Sequence, residues 1–136
     1  MAYWLFKTEP ETWSWDAQVR KGTEPWDGVR NHQANNNMKA MKKGELGFFY
    51  HSGGERQVVG IVEVAQEHHP DTTDESGRFG RVAVKTVKPF PAPVTLAAIK
   101  ANPKLADMVL VKNSRLSVQP VSDAEWREVC RMGGVK

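Results

Sequence analysis

The chain opens on an alternation, Tyr3, Leu5 and Lys7 against Trp4 and Phe6, which predicts a strand over residues 2–8. Glu9-Pro10 ends it, because proline brings no N–H to a ladder. Ser14 is placed to cap a short helix over residues 15–21 that Gly22 stops. Residues 23–30, with Pro25, Trp26 and the turn pair Asp27-Gly28, read as a loop. Ala34, Met38 and Met41 predict a helix within residues 31–43, closed by Gly44, although the run Asn35-Asn36-Asn37 is poor helix material. Strands over 45–52 and 57–65 read as a hairpin through Ser52-Gly53-Gly54. Residues 66–78 are polar and acidic and predict an exposed loop. Val82, Val84 and Val87 mark a strand over 80–89, and Pro89, Pro91 and Pro93 a stiff spacer behind it. Thr95 caps a helix over 96–101 that Asn102-Pro103 ends, and a second helical piece is expected over 104–108. A last strand over 116–121 precedes the capping box Ser122-Asp123-Ala124-Glu125, whose helix turns Trp126, Val129 and Cys130 inward and stops at Gly133.

Five or six strands and several short helices, without regular β-α alternation, indicate an α+β fold: a curved sheet or small open barrel flanked by helices. The 136 residues are expected to form one domain, residues 1–136. Hydrophobic residues at 40% and charged residues at 26% suit a folded globular chain and argue against disorder. The formal net charge is +3 and the pI about 9.1, which permits a nucleic-acid partner without requiring one. No apolar run approaches a membrane span and the N-terminus has no signal-peptide pattern, so a cytoplasmic protein with no membrane partner is expected. Cys130 is the only cysteine, which excludes an intrachain disulfide and a thiolate zinc cluster. His68-His69 with Asp71 lacks a ligation spacing, so no metal and no cofactor is expected. No coiled-coil pattern is present and a monomer is expected.

Four constellations carry candidate chemistry. Lys7 and Glu9 share one strand face, as a surface ion pair or an acid/base couple beside a pocket. Trp26-Asp27-Gly28-Val29-Arg30-Asn31, followed by Asn35 and Asn36, offers a stacking ring, amides and a guanidinium to a planar polar ligand; the alternative is a core tryptophan with turn asparagines. Tyr50-His51-Ser52 stands at a strand end beside glycines, but His51 and Ser52 point to opposite faces of an extended strand, against a nucleophile pair. Ser114-Arg115-Leu116-Ser117 can hold a phosphate or simply place a solvated arginine at a strand start. Of the five tryptophans, Trp4 and Trp126 read as core, Trp15 and Trp26 as stacking candidates, and Trp13 is left open between the two.

Taken together, Tyr3 to Pro10, Trp26 to Asn31, Phe49 to Ser52, Gly60 to Val64 and Ser114 to Val121 resemble the EVE domain over essentially the whole chain. The resemblance implies a PUA-like mixed β-barrel flanked by helices, kinship with YTH domains, and non-enzymatic binding of a modified base in DNA or RNA. It implies pocket residues Lys7, Trp15, Trp26, Arg30, Asn31, Asn36, Tyr50, His51, Ser52, Arg115 and Ser117, and assigns no catalytic residue. Three positions depart from the family pattern: Asn35 replaces a common arginine, Ala83 a common aspartate and Phe79 a frequent tryptophan. The base must be flipped out or already single-stranded to enter a pocket, and stacking on tryptophan returns about 1–3 kcal/mol. Phosphate contacts are expected from Arg20, Lys21, Lys39, Lys42 and Lys43 as well as Arg30. The alternatives are a small PUA-like amidohydrolase acting on an acylated nucleoside, with Lys7 and Glu9 as nucleophile or base, and a small-molecule-binding module using the same pocket.

Overall fold

The structure, a computed structural model, describes residues 1–135. The alternating N-terminal segment forms β1 (Tyr3–Thr8) at an interior position of the sheet. It pairs in parallel with β3 (Leu46–His51) and antiparallel with β6 (Val118–Val121). The remaining strands are β2 (Thr23–Pro25), β4 (Gln57–Pro70) and β5 (Gly80–Thr95), and the sheet order is β2-β5-β4-β3-β1-β6. The helices are α1 (Trp15–Lys21), α2 (His32–Ala40), α3 (Leu96–Ala101), α4 (Val109–Lys112) and α5 (Asp123–Met132). This is the α+β, PUA-like architecture expected, with six strands.

Alternation along β1 divides the core in two. Trp4 and Phe6 join Trp15, Trp26, Met38 and Phe49 on one side, beneath α1 and α2. Leu5 joins Phe48, Tyr50, Ile99, Leu105 and Trp126 on the other, beneath α3, α4 and α5. The capping box on Ser122 and Glu125 opens α5, and Trp126 stacks between Tyr3 (centroids 4.3 Å apart) and Phe48 (4.0 Å). Trp4 and Trp126 are therefore core, as expected; Cys130 is half-buried, and burial pushes its thiol up to about 11.

The asparagine run that looked unsuited to a helix ties α2 to both sides of the sheet. Asn35 Oδ1 accepts from the Gly80 N–H at 3.1 Å and from His68 Nε2 at 2.9 Å, on β5 and β4. Asn37 Nδ2 donates to the Val118 carbonyl at 2.7 Å, on the β6 edge. In a flat sheet β6 and β5 lie four strand steps, about 19 Å, apart. A helix about 10–12 Å thick reaches both only if the sheet rolls around it.

Several boundaries differ from the sequence reading. Thr23–Pro25 is not loop but a short edge strand on β5; three residues carry no readable period, and an edge tolerates Pro25. The supposed loop over 66–78 is shorter, because β4 runs on to Pro70 through register shifts after Val64 and Gln66. The proline spacer lies inside β5, where residues 90–93 bulge opposite Val59 and Phe90 drops into the second core. In place of a helix over 104–108 there is a 3₁₀ turn, Pro103–Leu105, followed by α4, and the last strand begins at Val118 rather than 116.

Asp71, 3% exposed, fastens the β4–β5 connection to the loop before α2. It accepts from the Gly28 N–H (2.9 Å), Arg30 Nη1 (3.1 Å), the Thr73 N–H (2.8 Å) and Thr73 Oγ1 (2.6 Å). Burial alone raises a carboxyl pKa; these donors outweigh it and hold Asp71 far below the usual carboxylate range. Asp71→Asn is expected to lower unfolding free energy by about 2 kcal/mol at pH 7. A depressed folded-state pKa stabilises above the unfolded value, so the wild-type advantage in denaturant titrations should be constant above about pH 5 and shrink as pH falls below about 4.

Candidate nucleic-acid interface

β1 and β3 run parallel, so their C-terminal ends emerge side by side, with Lys7 opposite Tyr50 and Thr8 opposite His51. Two backbone bonds extend this edge: the Ser52 N–H donates to the Thr8 carbonyl and the Lys7 N–H to the Ser117 carbonyl, both at 2.9 Å. The Ser117 segment is held in turn by Gln119, fully buried, whose Nε2 donates to the carbonyls of Leu116 (2.7 Å) and Asn113 (3.4 Å). Ser114 and Arg115 are thereby brought beside Lys7, more than a hundred residues away in sequence.

A cleft of about 610 Å³ opens at this edge. Lys7, Arg56, Lys100 and Arg115 line it with the hydroxyls of Thr8, Ser52, Ser114 and Ser117, and Leu96 and Leu110 form apolar wall. Glu9 is its one carboxylate. The Lys7 ammonium donates to the Ser114 carbonyl and lies 5.9 Å from the Tyr50 ring centroid. Burial lowers its pKa. Burial raises that of Tyr50, opposed by the charge of Arg56, so the phenol keeps its proton at neutral pH. None of the four cations has an ion pair among the described residues, whereas Lys21, Arg30, Arg81, Lys85, Lys112 and Arg131 all do. Four uncompensated cations around hydroxyls suit an anion able to accept several hydrogen bonds.

Of the sequence-derived pocket residues, the cleft gathers Lys7, Tyr50, Ser52, Arg115 and Ser117. The others lie outside it. His51 Nε2 accepts from the Trp15 N–H at 2.9 Å, which leaves Nδ1 to donate to Glu55 at 3.1 Å. Arg30 is spent on Asp71, Thr73 and its neighbour's carbonyl. Asn31 caps α2 by accepting from the Ala34 N–H at 2.9 Å, and Asn36 lies exposed on α2, away from the cleft. Arg20 and Lys21 on α1, Lys39 on α2, and Lys42 and Lys43 in the segment after α2 are exposed and do not line the cleft. The sequence reading missed Arg56 and Lys100. Lys100 had a signal, since it follows Leu96 by four residues on one helix and shares its face.

Trp15 and Trp26 require a correction. Each is 8% exposed and packs in the first core: Trp26 edge-on to Phe6 (5.3 Å) and Phe49 (5.7 Å), Trp15 edge-on to Phe49 (5.2 Å). Both rings are packed in the aromatic core under α1 and α2 and do not line the cleft. Trp13, half-buried, donates from Nε1 to Gln18 at 2.9 Å.

The EVE domain profile matches residues 2–132. The chain belongs to the EVE domain family. Human thymocyte nuclear protein 1 is 30% identical over 164 residues, spanning 92% of this chain and 71% of the human protein. The crystal structure of protein Atu2648 from Agrobacterium tumefaciens, 54% identical, superposes with a TM-score of 0.97 over 99% of this chain and 94% of that one. The human THYN1 protein, solved in complex with 5-methylcytosine containing DNA, is 30% identical and superposes with a TM-score of 0.89 over 100% of this chain and 99% of that one.

Because Trp26 is core, Trp26→Ala is expected to cost about 3–5 kcal/mol of stability. Gly60→Ala is expected to cost about 1–3 kcal/mol, since an added Cβ would stand 2.4 Å from the Trp15 ring. Chemical denaturation checks both. A Trp26→Ala protein of wild-type stability would show that the ring is not a core element.

Proposed function

We propose that this EVE domain protein binds DNA carrying a modified cytosine, and that the nucleic acid enters the cleft at the ends of β1 and β3. The carrying observation is the charge of that cleft: Lys7, Arg56, Lys100 and Arg115 against Glu9 alone. The human relative solved with 5-methylcytosine containing DNA supports the class of partner. A volume of about 610 Å³ suits a nucleotide but not a duplex, so the base enters flipped out or from a single strand. The phosphates meet the cations, and the base meets Leu96, Leu110 and the hydroxyls. With no aromatic face open in the cleft, discrimination comes from apolar contact: burying one methyl group is worth about 0.8 kcal/mol, about a fourfold preference.

Fluorescence anisotropy tests this with a single-stranded oligonucleotide bearing one 5-methylcytosine and its unmodified counterpart. The modified strand is expected to bind about fourfold tighter. Lys7→Met and Arg115→Gln are each expected to weaken binding about five- to tenfold and to reduce the salt slope by about one. Lys42→Gln and Lys43→Gln, outside the cleft, should leave binding unchanged. Wild-type affinity in both cleft variants would overturn the assignment.

A further inference from the structure

Arg56 is the one residue other than glycine with a positive φ among the described residues, at 48°. An L side chain is strained there, and such strain persists only where the surroundings hold it. The holding contact is visible: the Arg56 carbonyl accepts from the Leu96 N–H at 2.8 Å, tying the β3–β4 turn to the first residue of α3. The guanidinium itself has no ion pair or hydrogen bond among the described residues, although its charge reaches the Tyr50 hydroxyl.

Beside the main cleft is a second hollow, of about 390 Å³, lined by Gly54, Glu55, Thr95 and Ala97. Arg56, Leu96 and Lys100 line both. The two hollows therefore adjoin as neighbouring lobes, with two cations at their boundary. Glu55, the carboxylate of the smaller lobe, is engaged by His51 and Gln57, both at 3.1 Å, and the His51 hydrogen bond lowers its pKa. A ligand that fills both lobes must carry its negative charge where they meet.

We propose that Arg56, with Lys100, grips the phosphodiester joining a nucleotide in the larger lobe to its neighbour in the smaller lobe. The groove thus takes a strand in preference to a free nucleoside, and the strained backbone of Arg56 aims the guanidinium at the junction. This deepens the function proposed above and rests on it. A planar, doubly donating guanidinium suits a phosphodiester better than an ammonium does, and a basic groove tracking a backbone is how single strands are held.

The test compares 5-methyldeoxycytidine with the dinucleotide of 5-methyldeoxycytidine and thymidine by calorimetric titration against the wild type, Arg56→Gly and Arg56→Gln. The wild type should bind the dinucleotide at least tenfold tighter than the nucleoside. Both variants should lose that advantage, the dinucleotide losing at least tenfold more affinity than the nucleoside does. Arg56→Gly, which relieves the backbone strain, should melt no lower than the wild type. The proposal is overturned if the dinucleotide has no advantage, or keeps it in both variants, or if Arg56→Gly melts lower. When those results accompany weakened oligonucleotide binding by Lys7→Met and Arg115→Gln, the cleft assignment stands and the strand-gripping role alone falls. Oligonucleotide binding indifferent to all four variants would remove both.

Discussion

The pair of amides on α2 is the constraint from which the rest of the molecule follows. Asn35 holds the β4–β5 side and Asn37 the β6 edge, from a helix too narrow to touch both across a flat sheet. Rolling the sheet around α2 creates an enclosed interior, which Trp4, Phe6, Trp26, Met38 and Phe49 fill. Satisfying those backbone and imidazole groups also answers a cost, because unpaired polar groups buried at that seam would each lose about 1–3 kcal/mol. Aromatic rings that a sequence presents as candidates for stacking on a ligand are consumed in building the core.

With the inside of the roll filled, the basic cleft opens at the ends of the strands. The parallel pair β1 and β3 delivers Lys7 and Tyr50 together, and buried Gln119 secures the loop that adds Ser114 and Arg115. Six cations elsewhere are paired with carboxylates, among them Arg30, which the buried Asp71 takes out of play. A net charge of only +3 is thus compatible with a basic local site, because Lys7, Arg56, Lys100 and Arg115 are gathered around one cleft with Glu9 as its one carboxylate.

Periodicity and caps were reliable wherever the decisive interaction is local. Ser14, Thr95 and Ser122 cap the helices they were expected to cap. The alternation of β1 and the apolar run of β4 report burial directly. The reading failed where pairing is long-range: Thr23–Pro25 becomes a strand only because β5 lies beside it, and the polar end of β4 has no apolar alternation to announce it. In the site, Lys7 and Arg115 were legible from their motifs. Arg56 was not, since nothing local indicates that the turn after β3 folds against the start of α3.

The sequence by itself determined the fold class, the family, the boundaries of the capped helices and the residue types from which a nucleic-acid site is made, because propensity, capping and alternation act between near neighbours. Tertiary structure alone decided what each of those residues does. Whether a tryptophan faces solvent or core, whether an arginine is paired with a buried aspartate or left open to a ligand, and which cations share one groove all depend on elements distant in sequence. Curvature of the sheet, imposed by one helix, settles them together.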